Sequence, residues 1–417
     1  MKTSKFDLNF KLLIVSKIVS VFGGNVLGFA MILFLVDMTA SAAILGIILA
    51  LGQVPTILTT PFAGVLADRL NKKKLIVLFD VITAATNFYF LWLLVTGNYS
   101  VLNITVLRMV KMSIATFAQT VFNAAVPRIV DEEQLVGANG ILQSIAAIGL
   151  IGGSVVGGIL FGVVTTPTIA FASGVLFLIS AGISLKIKIP YVKRGFGNRI
   201  VATVTRDMLE SFTFLRTEKP IVFQLALVST ANSFLFPPIF MVGLPFLVGV
   251  IFDQEVTLSF GIAAIGMLLG GILAGRLTKL LAIRHLPKWV GGIGAAGLLL
   301  ALAFSPLVSD LSVSFWTFNF SLALLLLIFA LTSSSLGAFT QQQVPEHLLG
   351  KVNSLLGMIS LIAGPIGMLT VGFLIETVPL PLFFLGVTAI TWLVAGICGM
   401  MLKRYFRLEK MQLDEVI

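Results

Sequence analysis

The stretch GVLADRLNKKK (residues 64–74) places an aspartate, an arginine and three consecutive lysines between two long apolar segments. Charged residues are rare elsewhere, since they make up 11% of the 417 residues whereas hydrophobic residues make up 58%. A basic interruption of this kind is typical of a loop that joins two membrane-spanning helices. The apolar segments on either side of the stretch therefore decide the fold.

Apolar segments of 18 or more residues predict membrane-spanning helices, because about 20 residues at a rise of 1.5 Å cross the hydrocarbon core. Twelve such segments follow one another, at residues 11–36, 42–66, 75–96, 101–126, 138–163, 168–188, 221–250, 257–281, 288–308, 314–340, 353–375 and 380–402. The first is too long for the apolar part of a signal peptide, and no small-residue cleavage site follows it. We therefore expect an all-α integral membrane protein.

The net charge of +10 is explained by topology rather than by a nucleic-acid partner. If both termini lie on one side, the connections on the opposite side contain no Lys or Arg. They contain only acids, namely Asp37, Asp253, Glu255, Asp310 and Glu376. This asymmetry is the positive-inside pattern. It predicts cytoplasmic termini, and we expect no nucleic-acid partner.

The polar stretch between Lys186 and Pro220 divides the twelve segments into six and six. Two motifs of the first half return in the second: GVLADRL (64–70) as GILAGRL (271–277), and VPRIVDEEQLVGANGIL (126–142) as VPEHLLGKVNSLL (344–356). Each pair follows the equivalent helix of its half, which indicates an internal repeat. We expect a six-helix bundle over residues 1–190, a cytoplasmic linker over 191–219 and a second six-helix bundle over 220–417.

With the repeats placed, the opening stretch resembles the loop motif of the major facilitator superfamily, Gly-x-Leu-Ala-Asp-Arg-x-Gly-Arg/Lys-Arg/Lys. The matching positions include Gly64, Asp68, Arg69, Lys72 and Lys73. Where the family has its last glycine, this chain has Asn71, which also tolerates a left-handed backbone, so we expect the turn to be kept. The resemblance implies a gating role for the motif. It also implies two parallel six-helix repeats with a substrate site near the midplane between them.

The fifth predicted helix carries a stripe of glycines, Gly140, Gly149, Gly153, Gly157 and Gly158. The spacing resembles the antiporter pattern of drug exporters, G-x8-G-x3-GP-x2-GG, with Ser154 in place of the proline. The eighth helix has a similar spacing in Gly266 and Gly270. Glycines let another helix approach closely. We expect the two stripes at the contact between the halves, and generic small-residue packing is the alternative.

The fourth predicted helix carries two cations, Arg108 and Lys111, one turn apart on one face. Arg108 lies about 10 Å from the outer end and resembles the family's Arg-x-x-Gln-Gly motif, although Lys111-Met112 follows it. Each cation costs at least a few kcal/mol unless it faces water or a partner. We expect both to serve coupling or substrate binding, with Asp37 as a carboxylate reached from outside. A buried ion pair or a snorkelling Lys111 is the structural alternative.

Uncharged side chains within the spans are candidates for lining a substrate cavity: Asn25, Gln53, Gln119, Asn123, Gln143, Gln224, Asn232 and Phe236. We expect Asp80 to neutralise Arg69 or Arg128 rather than to carry protons. The sequence has no G-x-x-x-x-G-K-S/T motif and no cluster of His, Asp, Glu or Ser within the spans. We therefore expect no enzyme, no cofactor and no metal site.

Sequence segments in both halves, such as TASAAILG (39–46) and AGPIGMLTVGFL (363–374), resemble those of the macrolide-efflux and drug:proton antiporter branch of the superfamily. The resemblance implies a monomeric exporter of amphipathic small molecules in the bacterial cytoplasmic (inner) membrane, driven by the proton gradient. No clear carboxylate lies in the middle of a span. A lysophospholipid or lipid flippase, or a siderophore-type anion exporter, on the same fold is therefore the alternative.

Overall fold

The computed structural model describes residues 7–131, 134–190, 200–254, 256–277 and 281–414, apart from a few side chains within these ranges. Nearly all of these residues are helical, and none of them lies in a strand. Twelve helices in the described ranges are long and apolar enough to cross a membrane. The predicted all-α architecture with twelve spans is therefore confirmed.

The first six helices agree with the predicted spans to within about one helical turn. They are α1 (Leu8–Thr39), α2 (Ala42–Arg69), α3 (Lys72–Thr96), α4 (Val101–Ala125), α5 (Leu135–Val163) and α6 (Thr166–Ser184). Three of them begin after a polar residue whose side chain accepts a backbone N–H: Asp7 for α1, Asn71 for α3 and Ser100 for α4. Such caps satisfy a donor that the helix itself leaves unpaired.

Asn71 has a different role from the one predicted. Its φ of −67° and ψ of 107° are extended rather than left-handed. Its side-chain oxygen accepts the backbone N–H of Lys74 at 3.1 Å, so that Asn71 caps α3. Capping, rather than tolerance of a left-handed turn, accounts for asparagine at this position.

The second half contains α7 (Ile200–Thr217), α8 (Pro220–Pro238), α9 (Leu244–Phe246), α10 (Val256–Arg276), α11 (Leu286–Ala303), α12 (Leu311–Gln343), α13 (Glu346–Thr377) and α14 (Leu380–Asp414). Two π-helical segments, Ile239–Gly243 and Leu247–Ile251, flank α9 and extend the span of α8 to Ile251. Pro237 and Pro238 lack the N–H groups that the α-helical ladder needs, which explains the change of helix type after them.

The chain divides into two compact units. Unit 1 comprises Met1–Ala40 with Ile48–Val201, and unit 2 comprises Ser41–Ile47 with Ala202–Ile417. The predicted linker is not separate from the second bundle. It contains all of α7, which packs through Phe214 and Leu215 on the core of unit 2. In addition, Lys351 Nζ lies 2.9 Å from Glu210 Oε2 of α7.

Helix packing follows the same order in the two units. In unit 1, α1 packs on α5 and α6, and α3 packs on α4 and α6. In unit 2, α8 packs on α13 and α14, and α11 packs on α12 and α14. Numbered along each half, the spanning helices thus pair first with fifth and sixth, and third with fourth and sixth. The sequence repeats correspond to a repeated arrangement of helices.

Candidate functional site

The α5 glycines bring α1 into close contact inside unit 1. A Cβ atom at Gly153 would overlap Asn25, and one at Gly149 would overlap Val21. A Cβ at Gly157 would lie 2.6 Å from the carbonyl oxygen of Val26. These positions therefore require glycine for the helices to approach as they do.

The glycines of α10 also pack a helix of their own unit, and the predicted contact between the two stripes stays a prediction. In unit 2, Gly266 and Gly270 meet the carbonyl oxygens of Ala323 and Leu327 on α12. Each stripe therefore packs a helix of its own unit. Gly140 faces open space, so it does not contribute to close packing, whereas Gly158 is buried.

Arg108 lies on α4 against the backbone of α2. A Cβ at Gly52 would come within 2.8 Å of Arg108 Nε and 2.9 Å of its Cδ, so the absence of a side chain at Gly52 makes room for the arginine. Arg108 Nε is buried without a hydrogen-bond partner. Among the described side chains, no carboxylate forms an ion pair with Arg108, and Asp37 is exposed near the end of α1.

Lys111 is held by a chain of hydrogen bonds that crosses unit 1. Its Nζ donates to Asn87 Oδ1 at 2.6 Å, and Asn87 Nδ2 donates to Ser173 Oγ at 3.0 Å. Ser173 Oγ in turn donates to the carbonyl oxygen of Gly23 at 2.8 Å. The ammonium group therefore joins α4 to α3, α6 and α1, and its position is more strongly constrained than that of Arg108.

A second polar chain runs from α1 to the exposed side of α4. Lys17 Nζ donates to Gln119 Oε1 at 2.6 Å and lies 4.6 Å from the centre of the Phe122 ring. Gln119 Nε2 donates to Asn123 Oδ1 at 3.0 Å, and both amides are exposed. Arg108 and Gln119 lie on one face of α4, since eleven residues correspond to about three turns. This face of α4 therefore carries cations and amides along much of its length.

Asp80 has different partners from those predicted. It is 8% exposed inside unit 1, where Ser180 Oγ donates to its Oδ2 at 2.7 Å. The cation that acts on its carboxylate is Lys17, in place of Arg69 or Arg128. Arg128 is exposed in the short turn after α4.

The remaining gating residues lie at the α2–α3 connection. Gly64 has open space beside it, and Arg69 ends α2. Lys72 and Lys73 lie in the first turn of α3, with Lys72 buried. The side chain of Asp68 lies outside the described part of the chain. Its predicted gating role stays a prediction.

The cavity candidates are spread over both units. Asn25 packs on α5, and Gln53 is partly buried on α2 beside Gly52. Gln143 is exposed on α5, whereas Gln224 is partly buried on α8. Asn232 is buried, and the buried ring of Phe236 packs edge-on against Phe329 at 6.1 Å.

Unit 2 has a small cavity of about 200 Å³ between α8, α12 and α13, lined by both apolar and polar residues. Its described polar lining consists of uncharged hydroxyl and amide groups, namely Ser229, Ser333, Thr340, Asn353 and Ser360. Sequence reasoning did not select these residues, because serine and threonine in an apolar helix also satisfy their hydroxyls on the helix backbone.

Sequence reasoning also missed most of the polar interior of unit 1: Ser16, Lys17, Asn87, Ser173, Ser180 and Ser184. One signal was available, because Lys17 is a cation within the first predicted span, and such residues are costly unless paired. The serines gave no comparable signal, since their partners lie more than 80 residues away along the chain.

Comparisons with known proteins agree with this architecture. The family model of the Major Facilitator Superfamily matches residues 13–368. Macrolide efflux protein A of Streptococcus pyogenes is 28% identical over 414 residues, which cover 96% of this chain and 97% of that protein. Macrolide efflux protein A of Enterococcus faecalis is 30% identical over 333 residues, covering 76% of this chain and 97% of that protein.

Solved structures show the same fold at low sequence identity. The nucleoside transporter NupG has a TM-score of 0.72 at 13% identity, covering 95% of this chain and 100% of that chain. A bacterial homologue of the iron transporter ferroportin, in the inward-facing state, has a TM-score of 0.70 at 16% identity. The match covers 95% of this chain and 98% of that chain. Together with the twelve spans and the repeated helix packing, the family match shows that this chain belongs to the Major Facilitator Superfamily and is a multi-pass membrane transporter, not an enzyme.

Proposed function

We propose that this transporter exports amphipathic small molecules of the macrolide type across the bacterial cytoplasmic membrane, by proton antiport and alternating access. The distribution of Lys and Arg over the loops supports cytoplasmic termini in this proposal. The similarity to macrolide efflux protein A extends over almost the whole of both chains, which supports a related cargo.

The observation that carries the proposal is the state of Arg108. Its Nε is buried without a hydrogen-bond partner, and no described carboxylate pairs with it. A cation at this depth is stable only where water or an anionic or carbonyl-rich group meets it. A macrolide carries several carbonyl and hydroxyl oxygens on an apolar ring, and we assign their recognition to Arg108 and the polar face of α4.

An anionic amphiphile is the second candidate cargo. Arg108 and Lys111 are like charges close enough to repel each other, and no described carboxylate lies between them. The phosphate of a lysophospholipid, or the carboxylates of a siderophore-type anion, would relieve that repulsion. This observation favours the anion specifically, since a macrolide has no anionic group that would neutralise either cation.

The two cargoes are distinguished by transport into everted membrane vesicles. We expect radiolabelled erythromycin to accumulate when the vesicle interior is made acidic, and accumulation to stop when nigericin dissipates the pH gradient. Vesicles carrying Arg108→Ala serve as the matched control for leakage. Accumulation of a labelled lysophosphatidylglycerol in place of erythromycin would assign the anionic cargo, and accumulation of erythromycin without a pH gradient would refute proton antiport.

A further inference from the structure

Unit 1 contains a buried carboxylate, Asp80 of α3, whose described hydrogen bond is to α6 rather than to the predicted gating loop. Among the described side chains of α1 to α6, Asp80 is the one buried carboxylate. Its Oδ2 accepts from Ser180 Oγ of α6 at 2.7 Å. The remaining described acids are on the surface, including Asp37 near the end of α1.

The surroundings of Asp80 satisfy both of its protonation states. When Asp80 is ionised, the Ser180 hydroxyl donates to it. When Asp80 is protonated, its own O–H can donate to Ser180 Oγ. The Ser180 hydrogen then turns to the carbonyl oxygen of Ser16 at 3.2 Å, or to Ser16 Oγ at 2.9 Å. A buried group that keeps its hydrogen bonds in either state can take up and release a proton without leaving a polar atom unpaired.

Three serine hydroxyls connect Asp80 to the end of α6. Ser180 Oγ is 2.9 Å from Ser16 Oγ, and Ser16 Oγ is 2.8 Å from Ser184 Oγ. In these two bonds either oxygen can be the donor. Ser184 is the last residue of α6, and Leu185 and Lys186, which follow it, are exposed. The chain of hydroxyls therefore runs from the buried carboxylate to Ser184, which is itself buried at the end of α6.

The charge opposite Asp80 comes from α1. Of the helices that pack around this position, α6 has no titratable side chain, and α4 carries Arg108 and Lys111. Of the charged groups on these helices, Lys17 is the one whose charge acts on the carboxylate. Lys17 also has partners of its own, Gln119 and the ring of Phe122, which remain when Asp80 is neutral.

We propose that Asp80 is the proton-binding carboxylate of this transporter, with Lys17 as its counter-charge and Ser180, Ser16 and Ser184 as its proton path. The proposal rests on the proton antiport proposed above. It differs from the expectation that Asp80 only neutralises a loop arginine and that Asp37 receives the proton.

Proton transfer along this path balances at each step. A proton that reaches the end of α6 binds the Ser184 oxygen as the Ser184 hydrogen passes to Ser16. The Ser16 hydrogen passes to Ser180, and the Ser180 hydrogen passes to Asp80 Oδ2. The result is one neutral carboxyl group and three intact hydroxyls, each of which then rotates back to its starting orientation. Loss of the Asp80 charge removes its electrostatic attraction for Lys17, whose contacts with Gln119 and Phe122 link the proton to the polar face of α4.

The experiment is an infrared pH titration of the purified full-length protein, followed in the C=O stretching region of protonated carboxyl groups. We expect a titrating band in the wild type that is lost in Asp80→Asn and kept in Asp37→Asn. Asparagine is nearly isosteric and still accepts from Ser180, so Asp80→Asn should fold. Asp80→Glu should retain a titrating band, which would show that its carboxyl group, and not the packing, is responsible.

The same variants are then compared for erythromycin transport in proteoliposomes. We expect Asp80→Asn to lose accumulation driven by a pH gradient, at least tenfold, while keeping exchange of labelled for unlabelled erythromycin. An unchanged infrared band, or unchanged gradient-driven accumulation in Asp80→Asn, would overturn the proposal. If the band is lost in Asp80→Asn but the wild type shows no gradient-driven transport, proton binding at Asp80 stands and the antiport proposal fails.

Discussion

The two units share one arrangement of helices but differ in what their interiors contain. Unit 1 holds Lys17, Asp80, Arg108 and Lys111 between its helices, joined through amides and serines. In unit 2, the spans from Pro220 to Ile251 and from Leu311 to Gln343 contain no Asp, Glu, Lys or Arg. One end of that unit is filled by phenylalanines, among them Phe252, whose ring lies 5.3 to 5.7 Å from those of Phe304, Phe315 and Phe318.

The internal repeat allows the two units to be compared at equivalent residue positions. The shift that aligns VPR (126–128) with VPE (344–346) aligns Arg108 with Leu326 and Lys111 with Phe329. Leu326 is buried, and Phe329 packs against Phe236. The glycine contact is retained, since Gly153 meets Asn25 of α1 and Gly367 meets Phe234 of α8. The comparison teaches that the repeat preserves helix packing, whereas charge has been concentrated in unit 1.

The largest effect is expected from placing a charge in the apolar unit. Leu326→Arg puts a guanidinium at a buried site of unit 2 without a polar chain like that of unit 1, at a cost of at least a few kcal/mol. We expect little folded protein, measured as the monodisperse fraction after detergent extraction. Leu326→Met is the control and should extract like the wild type. A normal yield of Leu326→Arg would show that unit 2 has a hydrated interior.

The reverse change removes the charge from unit 1. Arg108→Ala should fold, because the arginine has no ion-pair partner to leave behind among the described residues, but should reduce erythromycin export at least tenfold. Arg108→Lys should restore only part of it, because the forked guanidinium is lost. Leu326→Met, at the repeat-equivalent position, should export normally. If Arg108→Ala exports at the normal rate with an unchanged response to pH, the residue is structural.

The shared glycine contact predicts similar damage in both units. Gly153→Leu and Gly367→Leu should each separate a helix pair, because a Cβ there overlaps Asn25 or the Phe234 carbonyl. We expect lower melting temperatures and several-fold slower export, by analogy with overpacked cores, which lose about 1–3 kcal/mol. Gly162→Leu, with open space around it, is the matched control. If only one of the two variants is impaired, the packing is not equivalent.

A smaller effect is expected at Gly52, where the absence of a side chain makes room for the Arg108 side chain rather than for a neighbouring helix. Gly52→Ala places a Cβ 2.8 Å from Arg108 Nε, so that the flexible arginine must move while the helices need not. Export should fall a few-fold with little change in melting temperature. Gly28→Ala, with no neighbour within 4 Å, tests whether a methyl group in unit 1 is harmful by itself. Normal export by Gly52→Ala would mean that the exact position of Arg108 is unimportant.

The smallest effect is expected at the helix caps. Hydrogen bonds from Asn9 and from the backbone N–H of Leu8 hold the pKa of Asp7 below its usual value. A lowered pKa in the folded state gives a contribution that is present at neutral pH and is lost as the pH falls through that value. Asp7→Ala should therefore lower the melting temperature slightly at pH 7 and not in strong acid.

In unit 2, Asp310 caps α12 through its side chain, as Asp7 caps α1 in unit 1. Its Oδ1 accepts two backbone N–H groups, those of Ser312 and Val313, whereas Asp7 accepts the backbone N–H of Leu8 and the side-chain Nδ2 of Asn9. Asp310→Ala should therefore lower the melting temperature at pH 7 more than Asp7→Ala does. If neither variant lowers the melting temperature at pH 7, these caps do not stabilise the protein.

Hydropathy predicted the helices well because the bilayer leaves the backbone few alternatives. Within the hydrocarbon core each N–H and C=O must pair inside its own segment, so an apolar run of sufficient length becomes a helix whatever its neighbours are. The span predicted at 42–66 and the observed α2 (Ala42–Arg69) begin at the same residue. The linker was predicted less well, because α7 depends on Phe214 and Leu215 finding the core of unit 2.

The sequence by itself thus determined the twelve spans, the twofold repeat and the presence of cations in the fourth helix, since all three are local properties of composition and spacing. Only the tertiary structure decided which groups meet. Gly153 packs on Asn25, Lys111 is bound by Asn87, and Asp80 is joined to Ser180 rather than to a loop arginine. Helical spacing shows which side chains share a face but not which helix lies opposite. The physical reason is that contacts between residues 100 positions apart depend on how whole helices pack.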